Sequence, residues 1–284
     1  MHDVHYPHTQ RSDKTINKMA LIGLLVVSLL LLLALAAPFI APHNPYEQNL
    51  ENNLLEPCTQ YPFGTDDLGR CIFSRVIFGT RNALFIGIIV TLISATAGLL
   101  VGLVSGYYGG VIDELLMRLV DILLAFPGLV LALAIAGLLG PGLFNLMLAL
   151  ALVGWMSYAR VVRGAALSIK EKDFVESARA IGAGNIYIIR KHILPNVTAP
   201  LLVMATLGIG HVILNAAALC FLGLGLQPPE AVWGAMLSSG KAFLRSAPHL
   251  TIFPGLAIMI TVLAFNFLGD GLRDITAPGR NEMI

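Results

Sequence analysis

MALIGLLVVSLLLLLALAAPFI, residues 19–40, is an unbroken apolar run closed by Pro38 and Pro42. A helix needs about 20 apolar residues to cross a bilayer's hydrocarbon core, and proline resists continuation of a helix. The run therefore reads as a membrane-spanning helix. Ala34-Leu35-Ala36 has the small-residue pattern of a signal-peptidase site. The run is nevertheless longer than the roughly 7–15 apolar residues of a cleaved leader, so a retained anchor is expected.

The same reading extends along the chain. Further apolar runs occupy residues 83–108, 115–140, 143–158, 201–225 and 252–268, which gives six spans and places both termini on one side. Gly140-Pro141-Gly142 marks a tight turn between the third and fourth. Over all 284 residues, 56% are apolar and 12% charged, against roughly 45–50% and 25% in a soluble domain. The expected fold class is an all-α polytopic membrane protein.

A formal net charge of +1 argues against a nucleic-acid partner. Three cysteines, with no C-x-x-C pair or H-E-x-x-H, favour neither a disulfide scaffold nor a zinc site. Lys and Arg in short loops set orientation. With the N-terminus inside, Arg11, Lys14, Lys18, Arg118, Arg160, Arg163, Lys170, Lys172, Arg179, Arg190, Lys191, Arg273 and Arg280 are cytoplasmic. Only Arg70, Arg75, Arg81, Lys241 and Arg245 then lie outside. The expected organisation is N-in/C-in: a cytoplasmic tail (1–18), a first anchor (19–40), an extracytoplasmic loop (41–82), a membrane core (83–270) holding a cytoplasmic loop (161–199), and a cytoplasmic tail (271–284).

Gly98, Gly102, Gly106 and Gly110 recur every fourth residue and form a row on one helix face, a device for close helix packing. Pro127 and Pro254-Gly255 would bend their helices, as ordinary kinks or beside a cavity. Ionisable groups at membrane depth mark pathway candidates. Asp121 stands three residues after Arg118, the spacing of a local ion pair, and His211 falls within the fifth span, as a packing histidine or a ligand. His2, His5 and His8 have a metal-compatible spacing, which a flexible tail accommodates equally.

The cytoplasmic loop contains Glu176-Ser177-Ala178-Arg179-Ala180-Ile181-Gly182, nine further residues, then His192-Ile193-Leu194-Pro195. Asp173 can cap a short helix with Glu176 three residues on, placing Phe174, Ala178 and Ile181 on one face. Gly182 and Gly184 stop it, and a second helix follows up to Pro195. Periodicity alone fits both a helix on lipid headgroups and one pressed into another protein.

The string resembles the cytoplasmic signature of bacterial binding-protein-dependent ABC importer permeases: Glu-Ala-Ala, three residues, Gly, nine residues, Ile-x-Leu-Pro. Ser177 replaces the first alanine, and His192 stands where the general pattern has isoleucine, as in the peptide and nickel branch. Residues 63–70 (FGTDDLGR), 73–75 (FSR), 221–225 (FLGLG), 233–234 (WG), 264–266 (AFN) and 269–274 (GDGLRD) resemble that branch's other segments. The chain looks like the second permease of a pair.

The resemblance implies a multi-pass protein of the bacterial inner membrane that works with a homologous permease, two ATPase subunits and an extracytoplasmic solute-binding protein. ATP and Mg are then used by the ATPases, with no cofactor on this chain. Asp173, Phe174, Glu176, Ala178, Gly182, His192, Leu194 and Pro195 would couple ATPase to permease rather than catalyse. The only approach to a phosphate-binding loop, Gly240-Lys241, lacks the upstream glycine and is followed by Ala242, so the chain is not expected to be an enzyme.

Within the branch, His211 in Gly208-Ile209-Gly210-His211 resembles nickel permeases, and imidazole suits nickel, so nickel or a nickel chelate is expected over the peptide alternative. Cys58 and Cys71 share the outer loop, where a disulfide closing about 14 residues would contribute about 3 kcal/mol; two unpaired thiols are the other reading. A secondary transporter remains a further alternative, with few intramembrane carboxylates to support it.

Overall fold

The computed structural model describes residues 18–276. Among them the chain is helical, with a single isolated β-bridge between Thr65 and Cys71. The long helices are α1 (Lys18–Ile40), α2 (Ile72–Tyr108), α5 (Leu143–Lys170), α8 (Leu194–Phe221) and α10 (His249–Thr276). Between them lie α3 (Gly110–Leu124), α4 (Gly128–Leu139), α6 (Asp173–Ala180), α7 (Asn185–Ile188) and α9 (Trp233–Gly240). Five helices are long and apolar enough to cross a membrane, and six spans result if the bent pair α3–α4 counts as one.

The extra length of α2 is the first departure from the hydropathy reading, which starts it at residue 83. Arg75 and Arg81 dilute its opening turns, yet Arg75 is buried and donates to the carbonyls of Pro45 (2.8 Å), Pro229 (3.3 Å) and Glu230 (3.3 Å). Asp66 completes the cluster, bound to Arg70 Nε at 2.7 Å and 3.7 Å from Arg75 Nε. A buried charge is tolerated where it is paired and hydrogen-bonded, so this polar turn joins the helix and anchors the loop between α1 and α2, now 41–71. In that loop the Tyr46 phenol is held above its ordinary pKa by partial burial and by nearby Glu230.

The second departure is at Pro127. A single span over 115–140 is replaced by α3 and α4, bent by 86°. Proline lacks the N–H of a helical ladder and disfavours helical geometry at the residue before it, here Phe126. Third, α5 continues to Lys170 instead of stopping near 158, because Arg160 and Arg163 find carboxylates on α3: Arg160 meets Asp121 at 2.6 Å, and Arg163 meets Asp113 at 2.5 and 2.6 Å. The pairing of Asp121 with Arg118 is thus replaced by one across helices. Fourth, the helix after Gly184 does not stop at Pro195 but runs from Asn185 to Phe221, through a π turn at Ile189–Ile193. Pro195 cannot donate to the carbonyl of Lys191 and its ring crowds it, and the widened turn contains that carbonyl.

The glycine row packs α2 against α5. A Cβ at Gly98 would lie 2.7 Å from the Trp155 carbonyl oxygen, at Gly102 2.6 Å from that of Ala159, and at Gly106 2.9 Å from that of Arg163. Gly110 leaves the row: it has φ +56° and opens α3. The α2–α5 pairing is parallel, whereas three others are antiparallel: Gly23 of α1 lies against Leu268 of α10 and Ala20 against Gly271, Gly87 of α2 against Ile213 of α8 and Thr91 against Gly208, and Gly269 of α10 against Leu207 of α8 and Phe265 against Gly210. The helices therefore alternate, and Lys18, Thr276 and the α6–α7 segment share one end of the bundle.

Candidate functional site

Two regions carry chemistry. The first is a cavity of about 960 Å³ where the α3–α4 break faces α5 and α8. Its rim is the broken segment itself, from Leu124 through Phe126, Pro127 and Gly128 to Leu129. Ser94 of α2, Gly154, Ser157 and Tyr158 of α5, Gly208, His211 and Asn215 of α8, and Asn266 of α10 bring it small and polar groups. No Asp, Glu, Lys or Arg lines it. The Tyr158 hydroxyl stands where a side chain at Gly208 would be, which is why that position is glycine.

His211 thus lines the cavity, whereas Asp121 does not; it is half exposed and held by Arg160. Among the described residues no group of three or more His, Cys, Asp or Glu side chains could hold a metal ion. His2, His5 and His8 lie outside the described residues. His211 has serine, tyrosine and asparagine as its polar neighbours in the cavity lining, a weak donor set for a divalent transition metal.

The second region is the α6–α7 segment. Val175 and Ala178 face inward, onto a buried cluster with Ile188, Ile193 and Val197. Phe174 is exposed and Ile181 is 86% exposed, so the inward face is Val175/Ala178 rather than Phe174/Ala178/Ile181. Lys172, not Asp173, is the N-cap; Asp173 and Glu176 occupy the first turn, where carboxylates oppose the positive end of the helix dipole. Gly182 has φ +84°, and the bonds from Gly182 N to Arg179 O (3.0 Å) and Ala183 N to Ala178 O (3.0 Å) form the glycine-terminated cap that ends α6.

His192, in the π turn, sits between two rings, 5.9 Å from Phe174 and 5.8 Å from Tyr187. Leu194 is half-buried and Pro195 exposed, so they flank this surface at the start of α8. The Tyr107 hydroxyl donates to Asn185 Oδ1 at 2.8 Å and ties the segment to the end of α2. Neither this bond nor the Asp113–Arg163 pair, to which Ser105 Oγ also donates, is legible from spacing; both join residues far apart in sequence.

Cys58 and Cys71 are free thiols, the first exposed in the loop, the second buried where it caps α2. Cys220 is buried in α8.

Residues 98–282 match the family described as the binding-protein-dependent transport system inner membrane component, and residues 16–57 match the N-terminal TM domain of oligopeptide transport permease C. The chain is 46% identical over 262 residues to the dipeptide transport system permease protein DppC of Alkalihalophilus pseudofirmus, covering 92% of this chain and 86% of that one. It is 47% identical over 264 residues to the glutathione transport system permease protein GsiD of Escherichia coli O157:H7, with coverage of 92% and 86%. Among solved structures, a chain of the inward facing MetNI methionine ABC transporter superposes with a TM-score of 0.60 at 20% identity, covering 72% of this chain and 98% of that one, a likeness of fold. The chain belongs to the binding-protein-dependent transport system inner membrane components, in their peptide and nickel branch, as a multi-pass permease subunit of an ABC importer in the cytoplasmic membrane.

Proposed function

We propose that this permease forms one half of a pathway for short peptides, and that the uncharged cavity at the α3–α4 break is its part of that pathway. The observation that carries the reading is the cavity's combination of size and lining. At about 960 Å³ it reaches the upper range of small-molecule sites, and its hydrogen-bonding groups are neutral amides, hydroxyls and one imidazole. A peptide backbone is bound by such groups at little cost in desolvation.

Nickel, expected from His211, has less support. That histidine has no second His and no Cys, Asp or Glu with it in the cavity lining, and the relatives just described are named for dipeptides and glutathione. Peptide import, the alternative from the sequence, fits both observations better.

In this reading ATP and Mg stay on two partner ATPase subunits, which dock on the surface formed by Phe174, Glu176, Ile181 and His192. The buried Val175 and Ala178 transmit their movement to α5 and α8. A second permease faces the open side of the cavity, and a solute-binding protein delivers cargo at the end bearing loop 41–71. Both termini are cytoplasmic, in keeping with the cluster of Lys170, Lys172, Arg179, Arg190 and Lys191 at the α6 end.

The test is competition in cells carrying the whole importer. Uptake of a labelled dipeptide that excess unlabelled dipeptide suppresses and nickel leaves unchanged agrees with the proposal. Uptake of radioactive nickel without peptide uptake contradicts it.

A further inference from the structure

The cavity is not symmetric in what it offers a peptide. A free peptide carries one ammonium and one carboxylate, and the lining holds no Asp or Glu to meet the first. It does hold N–H donors for the second. His211 and Asn215 stand four residues apart on α8, hence on one helix face, and Asn266 projects from α10 into the same space.

A carboxylate accepts from imidazole N–H, amide N–H₂ and hydroxyl alike, and bonds to a charged acceptor are stronger than neutral ones. An ammonium would find neutral acceptors in the same amides and hydroxyls, so the difference between the two ends of a peptide lies at His211, the one basic side chain on a wall that holds no carboxylate. We propose that His211, Asn215 and Asn266 form a carboxylate-recognising ledge in the pathway, so that the permease itself favours peptides with a free C-terminal carboxylate over those whose terminus is uncharged. His211, the only lining side chain able to carry positive charge, is the main discriminating residue. This inference rests on the peptide reading above.

The experiment compares uptake of radiolabelled dialanine with that of its C-terminal amide by the whole reconstituted importer, in the parent, His211→Leu, His211→Gln and Asn266→Ala. The solute-binding protein is the same throughout, so its own preference cancels when acid-to-amide ratios are compared between variants. The ratio is expected to fall roughly tenfold in His211→Leu, the size of one charge-assisted hydrogen bond, and by about threefold in Asn266→Ala. His211→Gln, which keeps an N–H donor, should retain part of the preference, as a packing role for the ring would not allow. Ratios equal to the parent's in both His211→Leu and Asn266→Ala overturn the ledge while leaving peptide import intact. A parent importer that takes up neither compound overturns the peptide reading and the ledge with it.

Discussion

Replacing Gly102 with alanine adds one methyl at the middle of the glycine row, where α2 packs against the backbone of α5. That methyl would sit 2.6 Å from the Ala159 carbonyl oxygen and 2.7 Å from Val162 Cβ, so about 0.8 Å of separation is needed to restore an ordinary 3.4 Å contact. Neither neighbour can rotate away, since one is backbone and the other a branched Cβ. The two helices must part, loosening the contacts at Gly98 and Gly106 in the same row. Overpacking of this kind costs about 1–3 kcal/mol, against which the better helix propensity of alanine returns at most about 1. Gly164→Ala is the matched control: Gly164 lies inside α5 with nothing within 4 Å of an added Cβ, so only the propensity gain applies. Thermal unfolding of the purified chain in detergent can be followed with a thiol-reactive fluorogenic dye, because Cys71 and Cys220 are buried and become reactive on unfolding. Gly102→Ala should melt several degrees below the parent and Gly164→Ala at or slightly above it. A Gly102→Ala protein as stable as Gly164→Ala would refute the close-packing argument.

Three further outcomes are expected. A double-mutant cycle on Asp113–Arg163, whose side chains are 17% and 32% exposed, should give a coupling of about 1–3 kcal/mol by unfolding, while Asp121–Arg160, 56% and 54% exposed, should give about 1 or less. Cys58, exposed in loop 41–71, should react in intact spheroplasts with a membrane-impermeant maleimide, and Cys58→Ser should abolish the signal; labelling only after lysis would reverse the proposed orientation. Ile181→Asp should leave the chain as stable as the parent, since Ile181 is 86% exposed, yet reduce co-purification with the ATPase subunits; unchanged co-purification would remove this residue from the docking surface.

The spans were legible in the sequence wherever lipid sets the rule, because a helix such as α1 needs only an apolar run of the right length. Hydropathy misjudged the ends where polar residues are satisfied by distant partners. Arg75 extends α2 to Ile72 through carbonyls at positions 45, 229 and 230, and Arg160 and Arg163 extend α5 through carboxylates on α3. The break at Pro127 was signalled by the proline, though its 86° angle and the cavity it opens depend on packing against α5 and α8. On α6, spacing placed the helix and its glycine stop correctly but turned its buried face, because Val175 and Ala178 meet residues 188, 193 and 197, which local periodicity does not see. His211 was recognised as a polar group at depth, whereas Ser94, Tyr158, Asn215 and Asn266, which share its cavity, come from four helices and carry no common motif.

The central claim is that this chain carries peptides only as part of an ATP-driven assembly. The most direct measurement is labelled dipeptide uptake into proteoliposomes holding the chain, its partner permease, both ATPase subunits and the solute-binding protein, with Glu176→Lys beside the parent. Uptake that requires ATP, vanishes when the ATPases are omitted and falls in Glu176→Lys together with ATPase association is the result expected. Uptake by this chain alone, driven by an ion gradient without ATP, would contradict the account.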